Sequence, residues 1–109
     1  MIQTEVRGKP LRNGASAFLE YHRRFGKDIT KDLPSPKVKP DGEVQSEPIP
    51  VSTILKLYEV FRISAEPELK RKLPGDIMDE EIDIADAEVM AEVTTEVCRL
   101  LSERSSQKN

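Results

Sequence analysis

Apolar residues recur with a helical period in three stretches of the chain. The fullest pattern lies in 51–64, where Ile54, Leu57, Tyr58 and Phe61 fall at i, i+3, i+4 and i+7. Leu55, Val60 and Ile63 widen the stripe, so this helix is expected to be buried on more than one side and to form the centre of the core. Burial of Leu57 or Phe61 there should contribute about 1.5–3 kcal/mol each. A second pattern spans 83–103, with Val89, Met90, Val93, Val97, Leu100 and Leu101 on one face. Its early acids and late bases, Arg99 and Arg104, suit the helix dipole. The third lies in 14–25, where Phe18, His22 and Phe25 form a stripe beside the row Ala15, Leu19 and His22. Glu20, Arg23 and Arg24 are expected to face water.

Punctuation residues set the ends of these elements. Asn13 stands before the first helix as an N-cap, since its side-chain oxygen can accept an orphan amide. Gly26 follows the last apolar residue, where a left-handed cap is easiest without a Cβ. Asp28 can cap a short helix at 28–33 that Pro34 stops. Pro67 suits the first turn of another short helix at 66–73, closed by Pro74-Gly75. Ile2, Thr4 and Val6 alternate with polar residues, which reads as an extended N-terminal arm. It is too short for a sheet of its own, and no second strand stands out. Residues 34–50 hold five prolines, one glycine and three aliphatic residues. This is a linker, with a spacer favoured over a polyproline ligand at Pro34–Lys37. Residues 105–109 should fray. The expected fold is one all-α domain over 1–109, with three main helices, two short ones, a Pro-rich loop and an extended arm.

The first helix and its corner carry a resemblance. Tyr21-His22-Arg23-Arg24-Phe25-Gly26-Lys27-Asp28-Ile29 resembles the pattern Y-K-x-x-F-G-x-D-hydrophobic near the N-terminus of tail assembly chaperones from long-tailed phages and prophages of Gram-positive bacteria. It departs at His22, where a lysine is common. The polar linker, second helix, acidic bend, last helix and overall length are similar in outline. The resemblance implies a non-enzymatic chaperone that binds the helical tape measure protein in the host cytoplasm and is absent from the mature virion. It also implies a longer product, made by slippage of ribosomes near the end of the gene, that shares this domain. The terminal Gln107-Lys108-Asn109 is compatible with a slippery codon run. Phe18, Tyr21, Phe25, Tyr58 and Phe61 are core residues by default and interface anchors wherever they are exposed. The resemblance favours the interface.

Composition narrows the remaining classes. The 109 residues fit one domain, with 37% hydrophobic and 34% charged residues and no tryptophan, which implies a modest core. No apolar run approaches the ~18 residues of a membrane helix, and MIQTEVRGKP lacks the apolar centre of a signal peptide. Cys98 is the single cysteine, so no internal disulfide forms and a reducing compartment is expected. The net charge of −3 divides unevenly: residues 1–40 carry +5 and residues 41–109 carry −8. Such halves can pair within one fold, pair between subunits or steer a partner.

The chemistry-bearing residues point away from catalysis. Residues 76–96 hold nine acids and no base. They do not form an EF-hand, because its turn glycine has no counterpart whether counted from Asp76 or Asp79. A solvated acidic face is the expected reading, with no metal or other cofactor. His22 is the only histidine, so no histidine triad or His-based metal site can be built from this chain alone. Cys98 lies beside an apolar stripe and reads as a small buried residue. Arg7, Lys9, Arg12, Arg23, Arg24 and Lys27 with the Gly26 corner admit a small helical DNA-binding or regulatory protein as the alternative function. A helix of 28–33 is short for a major groove, and the overall acidity opposes phosphate.

Overall fold

A computed structural model describes residues 2–32, 37–38, 42, 44–45 and 49–106. The chain opens with strands β1 (Ile2–Val6) and β2 (Lys9–Asn13). Helix α1 (Ala15–Phe25) and the single-turn α2 (Ile29–Asp32) follow. A two-residue ladder pairs β3 (Lys37–Val38) with β4 (Val44–Gln45). Helix α3 spans Val51–Ala65, a 3₁₀ helix spans Pro67–Arg71, α4 spans Asp76–Glu81 and α5 spans Ala87–Ser106.

The fold is therefore mixed, not all-α. The expected extended arm is the first strand of an antiparallel hairpin whose register pairs Val6 with Lys9, Thr4 with Leu11 and Ile2 with Asn13. Its two-residue turn is Arg7-Gly8, with φ of 50° and 84°. Positive φ at both turn positions matches the right-handed twist of hairpin strands, and glycine tolerates it best. Pro10 concealed the second strand. It faces Glu5 across the ladder, one position beyond the closing Val6–Lys9 pair. Hydrogen-bonded and non-hydrogen-bonded pairs alternate, so Pro10 occupies a place where its missing N–H costs the ladder nothing. The hairpin buries Val6, Leu11 and Asn13 and leaves Gln3 and Glu5 exposed.

Helix α3 is the centre of the core. Ile54, Leu57, Tyr58, Val60, Phe61 and Ile63 are buried on it, and it packs on β2, α1, α4, α5 and the 3₁₀ helix. Helix α5 supplies Val89, Val93, Val97 and Leu100 at helical spacing. It starts later than the sequence pattern implies, because Asp83–Asp86 forms a turn. The Asp86 carboxylate accepts the Glu88 amide at 3.0 Å as a cap. The stretch 66–73 closes into a tighter 3₁₀ turn, and the acidic bend after Gly75 is itself helical.

Helix α1 turns a different face inward from the expected one. Ala17, Glu20 and Tyr21 are buried, Phe18 and Phe25 are half-buried, and Ala15, Leu19 and His22 are exposed. The Arg24 side chain is also buried. Asn13 is not the helix cap. Gly14 holds that position without a side-chain bond, while Asn13 Nδ2 donates to the Leu100 carbonyl at 2.9 Å and ties the hairpin to α5. Most of the Pro-rich segment and residues 107–109 lie outside the described residues.

Candidate functional site

The corner after α1 is where the sequence concentrates its candidate residues. Gly26 takes φ of 70°, and its amide donates to the His22 carbonyl at 2.9 Å, which closes α1 with a left-handed cap. Asp28 precedes α2, and its carbonyl accepts the Lys31 amide at 2.9 Å. Tyr21 reaches across the corner: its hydroxyl donates to Asp32 Oδ2 at 2.6 Å, and its ring meets Phe25 edge to face at 5.3 Å. Burial, reinforced by the Asp32 carboxylate, raises the Tyr21 pKa well above its ordinary value. Lys56 of α3 lies over the Phe25 ring. His22, Gly26, Lys27, Asp28, Lys31 and Asp32 line an open hollow of about 530 Å³ beside this corner.

The five aromatics divide. Tyr21, Tyr58 and Phe61 are fully buried, so they are core residues and cannot anchor a partner on the native surface. Phe18 and Phe25 remain at the margin of the core. Large apolar side chains do reach water, but they are aliphatic: Leu19, Val51, Leu73 and Ile84.

The buried chemistry lies on α3, where two charges sit inside the apolar stripe. Glu59 has no exposed side-chain surface. Its Oε2 accepts from Arg24 Nε at 3.0 Å and from the Gly75 amide at 2.9 Å, and its Oε1 accepts from the Met78 amide at 3.2 Å. A carboxylate from α3 thus caps α4, whose own N-cap residue is a glycine without a side chain to do so. Arg24 Nη2 in turn donates to the Lys72 carbonyl at 2.8 Å. Glu20 lies near this pair, its Oε2 3.8 Å from Arg24 Nη1.

Three residues along α3, Arg62 holds the far end of α4. Its Nε and Nη2 donate to the two oxygens of Glu81 at 2.7 and 3.2 Å. Nη1 donates to the Pro10 carbonyl at 2.9 Å and to Glu66 Oε2 at 2.7 Å. The Tyr58 hydroxyl donates to Glu81 Oε1 at 2.9 Å. Burial works against both charges, but the hydrogen bonds outweigh it: the Arg62 pKa is raised and the Glu81 pKa is lowered. Burial also raises the Cys98 thiol, which disfavours the reactive thiolate.

Sequence reasoning places Glu20 and Arg24 in water and gives Glu59 and Arg62 no part. A signal for the last two exists. Both fall inside a stripe already too wide for an exposed polar face, and a charge there must be paired. These networks fix helices to one another and present no open coordination or nucleophile. Among the described residues, no group of three His, Cys, Asp or Glu side chains is placed to hold a metal ion. No helix among them is long and apolar enough to cross a membrane. The chain matches no known protein family, no curated protein and no solved structure.

Proposed function

We propose that the protein is a non-enzymatic assembly chaperone of a long-tailed phage or prophage that binds the helical tape measure protein. The reading rests on the run Tyr21–Ile29 and its resemblance to that family. The geometry of the corner supports it: the tyrosine, phenylalanine and glycine of the run each have a defined job in one closed turn. A motif whose members are coupled in this way carries more weight than its length alone. The rest of the molecule is compatible with a binding role, since its buried polar groups are spent on holding helices together. Exposed aliphatic residues amid charge offer contacts to an amphipathic helix. A longer product sharing this domain and residence in the host cytoplasm belong to the same proposal.

The test is co-expression with the tape measure protein, the long coiled-coil product that this reading expects from a neighbouring gene. The proposal expects the two to co-purify and the long protein to stay soluble only with its partner. A long protein equally soluble alone, with no complex on a sizing column, would overturn it.

A further inference from the structure

Asn13 is followed by Gly14, and this pair has a chemistry of its own. A glycine nitrogen has no Cβ beside it to hinder its attack on the preceding asparagine side chain. In the fold the pair sits where β2 ends and α1 begins, and Asn13 is 4% exposed. Asn13 faces Ile2 across the hairpin, and its Nδ2 donates to the Leu100 carbonyl of α5 at 2.9 Å. Its Oδ1 is buried with no hydrogen-bond partner among the described residues, so the bond to Leu100 fixes the amide. Two further bonds join the hairpin to α5. Thr4 Oγ1 donates to Glu96 Oε1 at 2.6 Å, and Arg7 Nε donates to Glu92 Oε1 at 3.1 Å. The ties at Glu92, Glu96 and Leu100 follow one another along one face of α5, a turn apart.

We infer that Asn13 is a deamidation site that the docked α5 holds closed. In the reaction the Gly14 nitrogen gives its proton to hydroxide and bonds to Asn13 Cγ. The Cγ–Nδ2 bond breaks and ammonia leaves. Water then opens the five-membered imide at either carbonyl, so one water is consumed and the product is aspartate or isoaspartate at position 13. Ring closure requires the Gly14 nitrogen to swing towards Cβ of Asn13. Antiparallel strand backbone, with ψ near about +135°, turns that nitrogen well away from Cβ. The hydrogen bond to Leu100 holds the amide itself in place. The chain must therefore leave the strand and part from α5 before it reacts. The reaction is one-way. A carboxylate at position 13 cannot donate to the Leu100 carbonyl, and it would bury a charge against that oxygen. Isoaspartate adds a methylene to the main chain between β2 and α1, which displaces the hairpin from its register. Each opening of α5 thus risks permanent loss of the tie at Leu100. The inference stands independently of the tape measure reading, because it needs only this chain.

Peptide mass spectrometry on the full chain, aged in mildly alkaline buffer, tests it by following conversion of amide to acid at position 13. In urea the wild type should convert readily, and Gly14→Ala in urea should convert far more slowly. The folded wild type should convert at least about tenfold more slowly than the unfolded chain, because reaction waits on opening. Leu100→Ala keeps the carbonyl acceptor but removes buried packing from α5. It should speed conversion in the folded state at least about tenfold over wild type, as a large-to-small core change raises the open population. Ile77→Ala, buried on α4, is the control, and at equal loss of melting temperature it should speed conversion less. If either alanine variant fails to fold, Leu100→Val and Ile77→Val take their place. Asn13→Asp, the mimic of one product, should melt below the wild type. No conversion in urea would overturn the site. Conversion as fast in the folded chain as in urea, or equal acceleration by the Leu100 and Ile77 variants, would overturn α5 as its gate. An unchanged melt for Asn13→Asp would overturn the loss of the tie.

Discussion

Gly26 and Phe61 carry opposite kinds of constraint. Gly26 sits at φ of 70° with nothing within 4 Å of where a Cβ would be, so a substitution there meets backbone strain and no clash. Gly26→Val should cost about 1–2 kcal/mol, the penalty of left-handed backbone for a residue with a Cβ. Urea unfolding should show a lower midpoint at unchanged slope. Phe61 is fully buried on α3. Phe61→Ala should cost ~3–5 kcal/mol through the cavity it leaves, whereas Leu19→Ala should stay within about 0.5 kcal/mol. Thermal melts of the two variants side by side would distinguish core from surface. Gly26 and Phe61 were legible because glycine after an apolar stripe and an aromatic within one each have few other meanings. Asn13 was not: at a strand–helix junction the same amide can cap the helix or reach a distant carbonyl, and only the position of α5 decides.

At the scale of elements, α3 was the most readable and α1 the least. Helix α3 is covered by neighbours on nearly every side, so its apolar pattern is redundant. Helix α1 buries Arg24 because Glu59 waits opposite, with Glu20 beside Arg24 on the same helix, and no periodicity in α1 announces a partner on another helix. The hairpin escaped notice because Pro10 usually argues against a strand, and its harmless register appears only once the turn is fixed at Arg7-Gly8. Helix α4, six residues long, depends on Glu59 at one end and Arg62 at the other. Glu59→Gln should destabilise the protein by about 1.5–3 kcal/mol, since Arg24 would lose its closest charged acceptor and keep only Glu20, at 3.8 Å, against its buried charge. Chemical denaturation measures this directly. Glu81 adds a pH dependence. Its folded pKa lies below the ordinary value of 4.5, so the unfolded state binds the proton first as pH falls. The stability it contributes is full above that value and is lost as pH drops through the lower folded pKa. Melting temperature should therefore fall on acidification below about 4.5, and Glu81→Gln should flatten that fall around a lower starting stability.

For the whole molecule, a buried ionic frame around α3 holds the hairpin, α1 and α4 in place and leaves the outer face of α1 and the acidic turn at Ile84 in contact with solvent. Partner binding on this account uses the rim and leaves the core closed, which separates Phe18 and Phe25 from Tyr21, Tyr58 and Phe61. Amide hydrogen exchange of the chain, alone and with the tape measure protein that the proposed function assigns to it, tests this most directly. The account predicts added protection along the exposed side of α1 and its corner, and unchanged slow exchange across Tyr58–Phe61. Exchange identical with and without the partner would contradict the proposed function, and faster exchange in α3 on binding would contradict the closed core.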